Sequence, residues 1–435
     1  MKIRDLISAT GAKVLKEIPE NLDVKISTDT RTIQAGDFYL PLKGASFDGE
    51  KFIAQALEKG AVGAFCTGDT GTLQVKDTLE AYLALANFRR KTKNFTVVAI
   101  TGSSGKTTTK ELVASTLAER FRTFKTPLNH NNEIGLCQTI FEAPDDTEVL
   151  VLEMGMRGLG EIEVLSKCAE PDIAIISNVG TAHIGRLGSR ENIARAKCEI
   201  TKYERGNVFI AHDDELIRKT VNFDGEKIFY SIDDVKIIEK SAHYSKFEYQ
   251  DNTYELNVGG DYNIENALAA INAGKSLGMK VSEIQAGLKK YAPIEKRWES
   301  VDAGGYKIIN DSYNANPESM RAFVDTVFEL YENYNLILGD MGELGENEIE
   351  YHRELGRYIN SKQNLNPNAY VISIGELSKN ITSEIKTCKT AHFDTVEQVV
   401  PFVKSNILQG SLIFLKASRS MKFERIIEAL GAFGV

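Results

Sequence analysis

The stretch Thr96–Thr107, which reads TVVAITGSSGKT, decides the fold. Its first five residues form a continuous apolar, β-branched run of the kind found in strands that are buried on both faces. The rest is rich in glycine and hydroxyl residues, and it leads into a segment whose Leu112, Val113 and Leu117 form an apolar stripe at helical spacing. A strand, a glycine-rich loop and a helix in this order predict a phosphate-binding loop, here called the phosphate loop (residues 101–107).

The residue types of the phosphate loop indicate what it binds. Glycine lets backbone N–H groups approach phosphate oxygens, and the start of a helix adds partial positive charge. Lys106 is expected to reach the β and γ phosphates, and Thr107 to hold Mg²⁺. The longer spacing of this motif has glycine where the chain has Ile100, so the loop is the shorter TGxxGKT form. A nucleoside triphosphate is the expected ligand; the alternative interpretation is a chance turn before a helix.

Apolar runs of the same kind recur along the chain, each followed by a turn and a helical pattern. They are 149–152, 173–176 and 208–210 in the middle of the chain, and 306–309, 336–338, 370–374 and 412–415 after a restart near residue 291. Continuous apolar strands that alternate with helices predict parallel sheets covered on both faces. The segment 224–254 is more polar, and we interpret it as a hairpin-like excursion at the edge of the middle sheet.

These patterns predict an α/β protein of three domains. Residues 1–93 would form a small N-terminal α/β domain, 94–294 a central P-loop domain with a parallel sheet, of ATPase type, and 295–435 a C-terminal Rossmann-like domain. The first domain ends in a predicted helix over 78–88. The polar stretch 89–94 that follows is interpreted as a linker.

Composition and charge exclude several classes of protein. A chain of 435 residues with 42% hydrophobic and 26% charged residues is globular and holds about two to four domains. Its apolar runs are far shorter than the roughly 18 residues of a membrane span, and its first residues do not read as a signal peptide. The net charge of −9 argues against nucleic acid as the main partner. Five widely spaced cysteines favour a reducing compartment, so we expect a cytoplasmic protein.

Polar residues follow the strands next to the phosphate loop. Glu153 ends the run 149–152, and His183 follows the run 173–176 after a short segment. Ligands of open α/β sheets bind at the carboxyl ends of the strands, so both side chains are candidates for a Mg²⁺ site beside the γ phosphate. Taken singly, each is as well explained by a structural role. Lys197 falls in a predicted helix that Ser189 caps, where spacing alone indicates a solvated lysine.

A series of motifs spans the chain. They are STDTR (27–31), LKG (42–44), FDG (47–49), TGSSGKTTTKE (101–111), NHNNEIG (129–135), EMG (153–155), NVGTAH (178–183), ARAKCEI (194–200), NIENA (263–267), Arg297, DSYNANP (311–317), GDMGELG (339–345) and KASR (416–419). Together they resemble the Mur ligase family, the ATP-dependent amide-forming enzymes of peptidoglycan assembly. Two positions depart from that pattern, because Tyr262 stands where many relatives have histidine and Ala417 where KGSR has glycine.

The resemblance implies a role for individual residues. For ATP it implies phosphate contacts from Gly102, Ser103, Ser104, Gly105, Lys106, Thr107 and Thr108, a γ-phosphate contact from Arg297, adenine recognition by Asn263 and Asn266, and a nucleotide contact from Asp311. For Mg²⁺ it implies Thr107, Glu153, His183 and a Lys197 that is carbamylated by CO₂. For the UDP-linked substrate it implies Thr28, Arg31, Lys43, Gly44, Asn131 and Asn132. Lys106, Lys197, His183 and Arg297 would be the catalytic groups. Without the resemblance, Asn263 and Asn266 are also ordinary caps of the helix that follows.

The resemblance also implies an activity. The DSYNANP and GDMGELG runs point, within the family, to joining D-alanyl-D-alanine to the terminal carboxylate of UDP-N-acetylmuramoyl-tripeptide through an acyl phosphate. The expected partners are therefore these small molecules, with ATP and Mg²⁺ as cofactors, and we expect a monomer. Two alternatives stay open. One is a ligase that adds a different amino acid, and the other is a P-loop ATPase that forms no bond.

Overall fold

The computed structural model describes residues 1–44, 47–293, 297–362 and 366–431. The predicted boundary between residues 294 and 295 lies outside the described residues. The N-terminal part is a five-stranded sheet in the order β1-β5-β4-β3-β2, parallel except for β1 against β5. Its elements are α1 (Ile3–Thr10), β1 (Lys13–Val14), β2 (Ile26–Ser27), β3 (Phe38–Tyr39), α2 (Ile53–Glu58), β4 (Gly63–Cys66), β5 (Leu73–Gln74) and α3 (Thr78–Lys93).

The prediction that 89–94 is a linker is wrong. Helix α3 runs through this stretch to Lys93 and ends where Asn94 adopts a left-handed conformation, φ 51°. Arg90 is fully buried, and its guanidinium donates to the backbone oxygens of Ala169 and Glu170 and to a carboxylate oxygen of Asp172. The basic residues that looked like solvated chain therefore fasten α3 to the central domain.

The central part is built on a six-stranded parallel sheet in the order β11-β10-β9-β6-β8-β7. Its strands are β6 (Thr96–Thr101), β7 (Thr123–Lys125), β8 (Val149–Glu153), β9 (Ile173–Ile176), β10 (Val208–His212) and β11 (Glu226–Tyr230). Its helices are α4 (Lys106–Leu117), α5 (Glu133–Glu142), α6 (Glu161–Ala169), α7 (Ile184–Leu187), α8 (Arg190–Cys198), α9 (Glu215–Thr220), α10 (Asp261–Ser276) and α11 (Val281–Lys290).

The apolar runs are continuous because the sheet is buried on both faces. Alternate residues of β6 enter different cores, with Val97 and Ala99 in one and Val98 and Ile100 in the other. Burying both sets removes the strand from water entirely, as the sequence pattern predicts.

The segment 224–254 holds both kinds of structure. A three-stranded antiparallel sheet, β12 (Lys236–Ser241), β13 (Tyr244–Tyr249) and β14 (Asn252–Leu256), confirms its hairpin character. The preceding strand β11 is not part of this hairpin sheet. It pairs in parallel with β10 and forms the edge of the main sheet. Glu226 and Lys227 are exposed there, which an edge strand tolerates and a central strand does not.

The C-terminal part is a six-stranded sheet in the order β15-β16-β20-β17-β18-β19, parallel except for the edge strand β15. Its elements are β15 (Glu299–Ala303), β16 (Tyr306–Asn310), α12 (Pro317–Leu330), β17 (Asn335–Gly339), α13 (Glu348–Asn360), β18 (Tyr370–Ile374), α14 (Lys379–Thr382), β19 (Lys389–Phe393), α15 (Val396–Asn406), β20 (Leu412–Lys416) and α16 (Glu424–Gly431). All four runs predicted here are strands, and the α/β fold class is confirmed. In the described parts of the chain no helix is both long and apolar enough to cross a bilayer.

We predict that Arg90→Ala lowers the free energy of unfolding by about 3 kcal/mol, because it leaves two carbonyl oxygens and Asp172 without their buried donor. Lys91→Ala is the matched control, since Lys91 also pairs with an acid, Glu170, at 2.6 Å but is half exposed. Its loss is expected to cost less than about 1 kcal/mol. Urea unfolding of both variants measures the difference, and equal effects would contradict a buried anchoring role.

Candidate active site

One cavity of about 990 Å³ lies between the central and C-terminal sheets. Its central wall is the phosphate loop together with residues that follow β8, β9 and β10. Its opposite wall comes from the ends of β16 and β20 and from the start of α12. The carboxyl ends of two parallel sheets therefore face each other across the same space, which is the edge of such sheets where ligands bind.

The phosphate loop begins α4 at a glycine that no other residue replaces easily. Gly105 has φ 75°, a left-handed conformation, and a Cβ built on it would lie 2.6 Å from Oδ1 of Asn266. Asn266, on α10, is buried and accepts a hydrogen bond of 2.9 Å from the hydroxyl of Thr109 on α4. The Lys106 amine donates to Gly102 O at 2.8 Å and folds over the loop. The N–H groups of the first turn of α4 have no acceptor within the helix and are available to an anion.

Asn178 braces the first half of the phosphate loop. Its Oδ1 accepts from the N–H groups of Ser103, at 3.1 Å, and Ser104, at 2.9 Å, and its Nδ2 donates to Ser104 Oγ at 2.7 Å. Ser177 adds a hydrogen bond of 2.6 Å to the carbonyl of Ser104. Two of the N–H groups expected to face phosphate are thus engaged by the segment after β9, which leaves the start of α4 as the open anion site.

Arg297 brings the C-terminal domain into contact with the phosphate loop. Its Nη2 donates to Thr107 Oγ1 at 2.9 Å, and its guanidinium stacks over the Tyr313 ring at 4.2 Å. Asp311 lies on the same wall and pairs with the buried Lys416 at 2.5 Å. The structure therefore places Arg297 against the phosphate loop and Asp311 in the wall of the same cavity.

Asn263 and Asn266 both line the cavity at the start of α10. Asn263 is buried, and its Nδ2 donates to Gly259 O at 2.7 Å. Tyr262, the departure from the family pattern, also lines the cavity and packs edge-on against Trp298. Burial raises the pKa of its phenol far above the ordinary value, so this ring presents a neutral, aromatic surface.

Glu153 ends β8 as a buried carboxylate in the cavity wall, 2% exposed. Its Oε1 accepts from Asn131 Nδ2 at 2.8 Å, while its Oε2 is buried without a hydrogen-bond partner. The nearest cation, the Lys110 amine, is 3.9 Å from Oε2. A buried carboxylate oxygen left in this state fits a cation ligand. Asn132, also in the wall, caps α5 by accepting from Gly135 N–H at 2.9 Å.

His183 lines the cavity just before α7 and has a left-handed backbone, φ 65°. Its Nδ1 lies against the Glu343 carboxylate of the C-terminal domain. Desolvation lowers the pKa of this imidazole, and the positive charges of Lys106 and Lys197 act in the same direction, while Glu343 opposes them. Among the described residues no group of three His, Cys, Asp or Glu side chains converges on a point. A cation here would also need hydroxyl, water or phosphate ligands.

Lys197 is placed differently from the other candidates. It is 1% exposed on α8 and is not one of the residues that line the cavity. Within the described residues its amine has no carboxylate partner. The spacing along the helix predicted a solvated lysine, and the structure shows a buried one. Desolvation, reinforced by Lys106, lowers the pKa of the Lys197 amine well below its ordinary value. Desolvation also lowers the pKa of Lys106.

The structure does not bring the four N-terminal candidates into this cavity. Thr28 follows β2, and Lys43 and Gly44 follow β3, the parallel neighbour of β2, so these residues share one edge of the N-terminal sheet. Arg31 is exposed and pairs with Asp29 at 2.6 Å, which lowers the pKa of Asp29 to about 2. This edge forms a separate polar surface.

Sequence reasoning missed several residues of the site. Asn178, Glu343 and Lys416 all lie within quoted motifs, yet nothing in the spacing of those motifs distinguished them from their neighbours. Glu318 was also missed; its carboxylate accepts from the N–H and hydroxyl of Thr181 across the domain interface, each at 2.9 Å. Contacts between domains have no signature in one sequence, because they join residues more than a hundred positions apart.

We predict that Gly105→Ala weakens nucleotide binding by at least about ten-fold. The left-handed backbone costs a side chain roughly 1–2 kcal/mol, and the new Cβ collides with Asn266. Gly278→Ala is the matched control, because Gly278 has φ 71° but open space around its Cβ position. Calorimetric titration with ADP should show normal affinity for Gly278→Ala. Normal affinity in Gly105→Ala would contradict this account of the loop.

Comparison with known proteins agrees with this architecture. The model of the Mur ligase middle domain matches residues 100–274, that of the Mur ligase glutamate ligase domain residues 296–419, and that of the Mur ligase family catalytic domain residues 25–90. A curated relative from Bacillus subtilis (strain 168), the UDP-N-acetylmuramoyl-tripeptide–D-alanyl-D-alanine ligase, is 35% identical over 423 residues, which cover 93% of this chain and 92% of the relative.

Solved structures give the same result. A crystal structure of MurF from Acinetobacter baumannii superposes with a TM-score of 0.90 at 29% identity, covering 99% of this chain and 98% of that one. The MurF ligase from Thermotoga maritima, solved in complex with ADP, superposes with a TM-score of 0.82 at 29% identity, covering 95% and 99%. The chain belongs to the Mur ligase family.

Proposed function

We propose that the protein is an ATP-dependent, ADP-forming ligase that joins D-alanyl-D-alanine to the terminal carboxylate of UDP-N-acetylmuramoyl-tripeptide in peptidoglycan precursor synthesis. The observation that carries the proposal is the cavity in which a phosphate loop meets Arg297 and Asp311 from a second domain. Relatives that match over nine tenths of the chain carry this activity in their names. The proposal applies to the three domains 1–93, 94–294 and 295–435 working as one enzyme.

The phosphate-loop end of the cavity suits a polyphosphate because two basic side chains meet there. The Lys106 amine folds over the loop onto Gly102 O, Arg297 donates to Thr107 Oγ1, and the first turn of α4 adds its unpaired N–H groups. Asn263 and Asn266, at the start of α10, are proposed to read the adenine edge. Asp311 is proposed to contact the nucleotide, and Lys416 fixes its carboxylate.

The donor set also suits Mg²⁺. Thr107, Glu153 and His183 line one cavity, and Glu153 contributes a buried oxygen without a hydrogen-bond partner. We assign Thr107 and Glu153 to a cation beside the phosphates and His183 to a second one, with a carbamylated Lys197 as a further anionic ligand. Bound there, Mg²⁺ would neutralise phosphate charge and orient the γ phosphate for attack.

Burial gives Lys197 the property that carbamylation needs. An ordinary lysine amine, with a pKa of about 10.4, is almost wholly protonated near neutrality and does not react with CO₂. Desolvation and the neighbouring Lys106 favour the neutral amine of Lys197 instead. A carbamate there would place an anion near Lys106, whose positive charge would stabilise it.

The proposed reaction has two steps. A carboxylate oxygen of the tripeptide attacks the γ phosphorus and the bond to the β-phosphate oxygen breaks, which yields an acyl phosphate and ADP. The amine of D-alanyl-D-alanine then attacks the acyl carbon, the carbon–oxygen bond to phosphate breaks, and the amine loses a proton as the amide forms. Lys106 and Arg297 stabilise the transferring phosphoryl group by position and charge, which is most of what phosphoryl transfer requires.

The UDP-linked substrate would bridge two surfaces. Thr28, Arg31, Lys43 and Gly44 at the edge of the N-terminal sheet are proposed to bind its UDP end. Asn131 and Asn132, near Glu153, are proposed to contact the muramoyl part, which places the peptide carboxylate towards the phosphate loop. The net charge of −9 disfavours nucleic acid as a partner, and we propose a cytoplasmic monomer.

Phosphate release with product analysis tests the activity. We expect release from ATP and Mg²⁺ only when UDP-N-acetylmuramoyl-tripeptide and D-alanyl-D-alanine are both present, with one pentapeptide product per phosphate by mass spectrometry. Product formed only with a single amino acid would identify a different Mur ligase. Turnover of ATP that is independent of acceptor would identify an ATPase instead.

Carbamylation has its own test. We predict a ¹³C carbamate resonance when the protein is equilibrated with ¹³C-bicarbonate, and its loss in Lys197→Met. Because the pKa of Lys197 is lowered, the resonance should persist at a pH where ordinary lysines are fully protonated, and it should fade as the pH falls. Lys110→Met is the matched control. Lys110 is equally buried, but its amine pairs with Glu111 at 3.2 Å, so we expect no carbamate on it and an unchanged resonance in Lys110→Met. A resonance that survives in Lys197→Met would contradict the assignment.

A further inference from the structure

We propose that Glu343 is a positioning residue that fixes the imidazole of His183 across the domain interface. Its carboxylate lies against Nδ1, which leaves Nε2 as the nitrogen available to the active site. The inference rests on the proposed function only in giving His183 a role in the cavity. The contact itself joins two residues of the described chain from different domains.

Three contacts converge on Glu343. Its Oε2 lies against His183 Nδ1, its Oε1 is 3.6 Å from Arg186 Nη2, and its backbone oxygen accepts from Gly185 N–H at 3.1 Å. One residue of the C-terminal domain thus touches both ends of the segment 183–186. Arg186 is more than half exposed and lies outside the cavity wall, so of these partners only His183 faces the site.

The backbone segments that carry His183 and Glu343 pack closely against each other. His183 and Glu343 both have left-handed conformations, φ 65° and 61°, which side chains rarely adopt and which a fold retains where its surroundings impose them. Gly185 and Gly345 lie against each other. A Cβ on Gly185 would be 2.5 Å from Gly345 N, and one on Gly345 would be 2.7 Å from Gly185 Cα. The two segments therefore meet backbone to backbone.

The loop that carries Glu343 is held from within its own domain. The buried His352 accepts from Met341 N–H through Nε2 at 2.9 Å, and its Nδ1 is 2.6 Å from Glu348 O, so both of its ring nitrogens are used. Asp340 accepts from the N–H groups of Leu377, at 3.2 Å, and Ser378, at 2.7 Å. These hydrogen bonds fix the loop that carries Glu343.

A carboxylate on one ring nitrogen decides what the other can do. With Nδ1 protonated and held by Glu343, Nε2 carries the lone pair, and this is the arrangement by which proteins orient histidines that bind metal. Because Glu343 comes from the C-terminal domain, His183 is oriented only when the two domains are docked. Docking would then complete the cation site as well as bring Arg297 to the phosphate loop.

The histidine tautomer tests this directly. In the full chain, labelled with ¹⁵N-histidine and free of metal and nucleotide, the ring shifts of His183 are assigned with His183→Gln. We expect the Nδ1–H tautomer in the parent chain and a change to predominantly Nε2–H in Glu343→Ala. Arg186→Ala, which removes the other side-chain partner of Glu343, should leave the tautomer unchanged. An Nε2–H tautomer in the parent chain, or no change in Glu343→Ala, would overturn the proposal.

A second variant separates orientation from folding. Glu343→Gln keeps the size of the side chain and one oxygen acceptor, so it should retain the Nδ1–H tautomer. Manganese binding in the presence of ADP, followed by electron paramagnetic resonance, should weaken about ten-fold in Glu343→Ala and less than about two-fold in Arg186→Ala. Neither readout needs turnover. A failed ligase assay with the tautomer change present would reject the proposed function alone, and an active ligase without the change would reject this inference alone.

Discussion

The desolvation of two lysine amines that lack an ion-pair partner is the constraint on which the rest of the site depends. Neither Lys106 nor Lys197 pairs with a carboxylate among the described residues, and desolvation lowers the pKa of both amines, although Glu153 opposes the shift at Lys106. Burying such groups is costly unless another charge compensates. A polyphosphate bound over α4 would supply that compensation, and so would the carbamate that we propose on Lys197. The fold around them therefore favours the liganded state over the empty one.

Neither domain holds the complete site. The central domain provides the phosphate loop, Glu153 and His183, whereas Arg297, Asp311 and Glu343 come from the C-terminal domain. A hydrogen bond of 2.9 Å from Arg297 to Thr107 and the contact of Glu343 with His183 both disappear if the domains separate. Chemistry is thereby confined to the docked arrangement, because only there do groups from both domains line the same cavity.

The sequence predicted the parts of this site that are local. A strand, a loop and a helix within twelve residues are enough to identify the phosphate loop, and Glu153 and His183 followed from the rule that strand ends share an edge. Lys197 was different, because a lysine two turns into a helix looks solvated until α8 is seen packed in the interior. The prediction of a linker around Arg90 was wrong for the same reason. A run of polar residues suggested solvated chain, but Arg90 binds carbonyl groups at and just after the end of α6, which are distant in sequence.

The segment 177–183 shows why such contacts matter together. Ser177 and Asn178 form hydrogen bonds with the phosphate loop. Thr181 donates to the Glu318 carboxylate at the start of α12, and His183 contacts the Glu343 carboxylate. One stretch of seven residues after β9 thus links the anion site to two contacts from the other domain. The phosphate loop and the domain interface therefore share contacts to the same short segment, so the position of this segment bears on both.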